Sequence, residues 1–203
     1  MKKIILSCTA LLIFISCKKD SSGSGGGGND TLSGTSWSFT SMTAQTQATE
    51  EEIEASDDIK SVTTSGYTTT DNAGTISFSG GKATATNIAY SVDSPLIVLT
   101  YDNNVLLETD TIPFSFSAPS SSSSSTYKVI GSDSLYFTNG FVTSGDITGG
   151  NPQPTAPSGY KFHITGNTMI MTTIIVKDSS ANISGVSTQL HESANISILL
   201  TKQ

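Results

Sequence analysis

The chain has 203 residues, a net charge of −7 and no arginine, and residues 31 to 203 set six lysines against fifteen acids. Neutralising phosphates takes basic side chains, so this balance argues against a nucleic-acid partner. Both cysteines, Cys8 and Cys17, fall near the start, and the body therefore has no disulfide, thiolate metal site or cysteine nucleophile.

Lys2 and Lys3 precede a run from Ile4 to Ile15 that is apolar apart from Ser7, Cys8 and Thr9; Ser16 and Cys17 follow. As a helix the run rises only ~18 Å against a ~30 Å hydrocarbon core, so it reads as the core of a signal peptide and not as a membrane span. The stretch Phe14-Ile15-Ser16-Cys17 resembles the lipobox of bacterial lipoproteins, with Phe14 where the commonest pattern has Leu. The resemblance implies a signal peptide of residues 1–16, diacylglycerol on the Cys17 sulfur, and palmitate or a similar acyl chain on its freed amine. Several chains at ~0.8 kcal/mol per buried methylene anchor stably where one would not. Lys18 stands where aspartate would imply retention in the inner membrane, so the outer membrane is the implied address. Lys18-Lys19-Asp20 also resembles part of the tag that sends some lipoproteins of Gram-negative bacteria to the cell surface. Residues 17–30, with Gly25 to Gly28 unbroken, complete a flexible tether.

Residues 31–203 read as one domain. Serine and threonine supply 34 and 29 residues of the chain, and short runs of Thr, Val, Ile, Tyr and Phe are separated by Gly, Asn, Asp and Ser, which is an all-β pattern. In chain order, Trp37, Phe39 and Ser41 would share one face of the opening strand, with Trp37 plugging one end of the core. One short helix is expected next: Thr49 as cap, Glu52 completing a capping box, Glu50 and Glu51 at the positive end of the dipole, and Lys60 at the other. Its stripe of Ile53 and Ile59 is thin, which would place it on a rim. The acids from Glu50 to Asp58 lack the alternating ligands and central Gly of a calcium loop, so they read as a solvated helix start.

Hairpins follow. Ser61 to Thr69 and Thr75 to Phe78 are strands, and Gly80-Gly81 turns into Ala83 to Val92. Leu96 to Tyr101 turns through Asp102-Asn103-Asn104 into Val105-Leu106-Leu107, and Phe114 to Phe116 continues the pattern. Ser120 to Ser125 reads as a loop or disordered excursion, because none of its side chains buries apolar area. Two similar hairpins start at Tyr127-Lys128 and Tyr160-Lys161, with the proline-bearing loop of Gly149 to Gly159 between them. Val186 to His191 and Ile196 to Lys202 would form a closing hairpin whose last strand pairs back to the first.

The opening Leu32-Ser33-Gly34-Thr35-Ser36-Trp37, the two Tyr-Lys hairpins and the terminal apolar strand are similar to bacterial lipocalin-like domains carried on tethered lipoproteins. The resemblance spans 31–203. It implies an up-and-down antiparallel β-barrel of about eight to ten strands with small apolar ligands held inside. This chain departs from the lipocalin pattern in separating Gly34 from Trp37 by two residues and in lacking the arginine that packs on that tryptophan. A two-sheet β-sandwich is the competing architecture.

No nucleophile elbow, phosphate loop or metal motif is present, and no catalytic, cofactor or metal residue is assigned. His163 lies between Phe162 and Ile164 and reads as a packed or edge residue. His191 and Glu192 are adjacent and would point to opposite faces of a strand. Asp30-Thr31-Leu32, Asp110-Thr111-Ile112 and Asp133-Ser134-Leu135 match an Asp-Ser/Thr-apolar O-glycosylation sequon, which makes Thr31, Thr111 and Ser134 candidate sites. The expectation is a non-enzymatic, monomeric outer-membrane lipoprotein. Its barrel would bind a small hydrophobic ligand or serve as an envelope interaction module. The alternative is a surface sandwich that recognises glycan or protein. Aromatic residues exposed at loop tips, such as Tyr67 or Tyr160, would mark the sandwich, and a deep apolar interior would mark the carrier.

Overall fold

A computed structural model describes residues 30–54, 57–139, 157–183 and 186–203. The expected signal peptide, Cys17, nearly all of the expected tether and residues 140–156 lie outside them. The described residues form β1 (Thr35–Glu54), β2 (Asp57–Thr68), β3 (Thr70–Ser79), β4 (Lys82–Asp93), β5 (Leu96–Asp102), β6 (Val105–Ile112), β7 (Ser115–Ile130), β8 (Ser134–Phe137), β9 (Ser158–Thr165), β10 (Thr168–Ile183) and β11 (Val186–Lys202).

Eight of these strands close an antiparallel barrel in the order β1-β3-β4-β7-β8-β9-β10-β11, with β11 returning to β1. Each barrel strand neighbours the next barrel strand in the chain, so the architecture is up-and-down and not a sandwich. The closing seam runs from Trp37 opposite Lys202 to Ile53 opposite Ser187.

The alternation of apolar and polar residues puts Trp37, Phe39, Phe78, Phe137, Met169, Met171, Ile198 and Leu200 inside. Rings meet edge to face in Phe78–Tyr127 and Phe137–Tyr160, with centroids 5.1 and 5.6 Å apart. Tyr160 is buried and Tyr67 packs against the core, so neither is an exposed loop-tip aromatic. One end of the barrel is sealed by the turn before β1. Leu32 is fully buried there, and Gly34 N donates to Phe78 O at 2.7 Å.

Three strands outrun the barrel. β1 pairs with β3 through Thr35–Ser38, then with β2 from Thr43 to Glu54. Thr69 stitches this fork: its Oγ1 accepts from Met42 N at 2.8 Å and donates to Asn72 Oδ1 at 2.6 Å. β10 pairs with β9 only over Thr168–Thr172, whereas β11 follows it to Ile183. The far halves of β10, β11 and β1 therefore join β2, β5 and β6 in an open six-stranded extension beyond the barrel mouth.

Four local expectations are corrected. No helix forms over Thr49–Lys60; these residues lie in β1 and β2, apart from 55–56, which are outside the described set. The cap and dipole signals are local and weak, whereas a β1 already paired to β11 on one side and β2 on the other gains a ladder bond at every step. Ser120–Ser125 is strand, not loop, because β4 offers alanines there: Ala83 faces Ser125 and Ala85 faces Ser123. Small opposes small along this pairing, and Ser125 is buried with Ala83 and Ala85. The last two segments are the single strand β11, with no turn between His191 and Ile196. Finally, a bulge between Phe39 and Ser41 shifts the parity of β1, so Met42 is buried in place of Ser41.

Candidate functional site

The register of the extension places residues from distant parts of the chain in rows. Asp178 of β10 lies opposite His191 of β11, and His191 lies opposite Thr49 of β1. Two residues further out, Ser180, Gln189 and Glu51 make the next row on the same face. Together they line an open cleft of about 470 Å³, with Ser179 and Leu190 contributing between the rows. Its floor is the sheet, and the side chains of the two rows supply two carboxylates, an amide, two hydroxyls and an imidazole.

His191 Nδ1 donates to Asp178 Oδ1, which leaves Nε2 as the ring nitrogen for a ligand. The two side chains are 51% and 75% exposed. A contact so wetted contributes only ~0–1 kcal/mol to stability, so its use lies in orienting the ring. The opposite face of the same strands is different in kind. Glu192 is 4% exposed and its carboxylate stands 3.7 Å from Lys177 Nζ, a separation for charge pairing and too long for a hydrogen bond. Glu50 projects on that face too; burial raises its carboxyl above the usual value and nearby Glu52 raises it further. His191 and Glu192 thus do face apart, as their adjacency requires, and the partner of His191 is Asp178. Nothing in the local sequence marks Asp178; only the register of the β10–β11 hairpin brings it to the ring.

His163 sits on β9 with its side chain exposed, and its Nε2 is 2.9 Å from Thr165 Oγ1, remote in register from the cleft. The three sequon hydroxyls are not brought together. Thr31 is exposed in the sealing turn and Thr111 is exposed on β6. Ser134, half-buried at the start of β8, donates to Asp133 Oδ1 at 2.8 Å. A hydrogen bond from Lys161 chiefly, with Ser134 adding to it, holds the Asp133 carboxyl below its usual value. Cys17 lies outside the described residues. Among the described residues, no three or more His, Cys, Asp or Glu side chains converge closely enough to hold a metal ion.

The fold and cleft define a closed up-and-down β-barrel bearing an open, polar-faced sheet extension. Compared with protein-family models, curated proteins and solved structures, the chain matches none.

Proposed function

We propose that this chain is a lipid-tethered envelope recognition module that takes a hydroxyl-rich ligand, a glycan, in the cleft of its extension. The observation that carries this reading is the division of labour in the fold: the barrel axis is filled by rings packed on rings, whereas the cleft lies outside on an open sheet. Carboxylates and amides present paired acceptors and donors that match vicinal sugar hydroxyls. Glu51, Asp178 and Gln189 supply such groups, while Thr49, Ser180 and His191 supply adaptable partners.

The tether supports the same reading. The chain enters the barrel at its sealed end, and β1 then runs toward the extension for up to ~60 Å at ~3.3 Å per residue. A lipid on Cys17 would therefore hold the sealed end toward the outer membrane and present the cleft away from it. The small-hydrophobic-ligand carrier is less well supported, because the interior is occupied by its own side chains.

Two-dimensional NMR titration of the protein with a panel of envelope and host oligosaccharides tests the proposal. Saturable shifts at Thr49, Glu51, Asp178 and His191 are expected. Their absence, together with a co-purifying mass of a few hundred daltons that organic extraction removes in native mass spectrometry, would instead restore the carrier.

A further inference from the structure

We infer that the free outer edge of β6 is a strand-addition site for an extended segment of a partner protein in which cationic and apolar side chains alternate. This site is independent of the cleft, which lies strands away on β10, β11 and β1. Among the described residues, β6 pairs with β5 on one side and with no strand on the other. All of its residues but Ile112 are exposed, including Val105 at 64%, Leu106 at 51% and Leu107 at 59%. Exposed edges are usually blunted by lysine, proline or shortness. β6 has eight residues and neither lysine nor proline; its pairing with β5 shifts at a bulge between Thr100 and Tyr101, and the charges it carries are the acids Glu108 and Asp110, which repel a like edge and attract a cationic one.

The register specifies what would pair there. Glu108 and Asp110 lie on one face, opposite Thr100 and Val98 of β5, and Asp102 adds a third acid to that face. Thr109 and Thr111 lie on the other face, opposite Leu99 and Ile97. An added strand would thus set cationic residues two apart against Glu108 and Asp110. Between them, its apolar residues would lie against the methyl groups of Thr109 and Thr111, which continue the row begun by Leu99 and Ile97. Main-chain hydrogen bonds would supply affinity and the alternation would supply specificity.

A second copy of this chain fits poorly. In an antiparallel pairing of two β6 strands centred on the acids, either Glu108 falls opposite Asp110 twice over, or one acid falls opposite its own counterpart. Like charges directly opposed destabilise a sheet. The surplus of acids over the whole body adds a longer-range attraction for a cationic segment.

The test uses the full chain in detergent and four labelled octapeptides: alternating lysine and valine, the same residues in two blocks, alternating glutamate and valine, and the first peptide N-methylated at every second residue. The alternating lysine peptide should bind at least about tenfold more tightly than its block isomer. It should protect amides of Val105–Ile112 from exchange and lose its advantage on N-methylation. The double variant Glu108→Lys with Asp110→Lys should prefer the glutamate peptide. Should that variant misfold, Glu108→Gln with Asp110→Asn should bring the alternating and block lysine peptides together in affinity. Equal binding of alternating and block peptides to the unaltered chain would overturn the inference. Sedimentation as a dimer with β6 already protected would also overturn it, in favour of a second copy.

Discussion

The hydroxyl of Tyr127, on β7, donates to Asp30 Oδ2 at 2.5 Å, tying the point where the chain enters the domain to the barrel wall. The same Asp30 accepts from Leu32 N at 3.1 Å, so one carboxylate fixes both the wall and the turn that seals it. Tyr127→Phe removes a charge-assisted bond at a partly wetted site and should cost about 1–2 kcal/mol. Leu32→Ala leaves a cavity under the seal and should cost about 2–5 kcal/mol. Urea unfolding measures both, and a loss below about 0.5 kcal/mol for Leu32→Ala would mean that the turn does not close the barrel.

Two glycines that look alike in sequence should respond differently to alanine. At Gly74, φ is +105° and an added Cβ would stand 2.6 Å from the backbone oxygen of Asn87, so both strain and collision apply. At Gly66 the same added atom meets only the end of the Gln45 side chain, which can swing away. Gly74→Ala should therefore lose about 2 kcal/mol or more, and Gly66→Ala less than about 1 kcal/mol. Thermal melts of the two variants side by side read the difference directly.

Alkaline pH should weaken the fold through its buried phenols. Burial first, and nearby Tyr67 second, pushes the Tyr90 hydroxyl up to about 12. Between the ordinary value near 10 and that point, the unfolded chain gives up a proton that the folded chain keeps, so stability falls as pH rises, by about 1.4 kcal/mol per pH unit for each such tyrosine. Tyr127, raised by burial and by its bond to Asp30, acts in the same direction. Tyr90→Phe should retain more of its neutral-pH stability above about pH 10 than the unaltered protein does, as followed by the urea midpoint.

Asp178→Asn and His191→Ala should separate recognition from folding. Both side chains are well exposed, so each variant should stay within about 0.5 kcal/mol of the parent in stability. Saccharide-induced NMR shifts should weaken or vanish in both. A large loss of stability in either variant would recast the pair as structural.

The barrel was legible because alternation is a property of each strand by itself. Ile88, Tyr90 and Val92 alternate in the sequence and line one wall, and the turns at Gly80-Gly81 and Asn103-Asn104 use positive φ as those residue types suggest. Over Thr49–Lys60 a capping box can be recognised from a few residues, while the strands that override it come from positions beyond 186 and the hairpin return. Ser120–Ser125 is hard to recognise for a related reason: its inward serines, of which Ser125 is buried, fit opposite the alanines of β4, which a single segment does not reveal. The cleft was the least legible of all. Asp178, His191 and Thr49 meet only through two registers, that of β10 on β11 and that of β11 on β1.

β1 is common to the sealed end and the extension, and this gives the molecule a mechanical character. A pull between residue 30 and the far sheet enters β1 near Thr35 and runs along it toward Glu54, dragging the strand lengthwise past β11. Every rung from Trp37–Lys202 to Ile53–Ser187 then shares the load at once, as rivets do in a lap joint. A tug directed sideways at β6 would instead open its rungs one after another, like a zip. The domain is thus built to resist drag along its own axis and to yield at its rim.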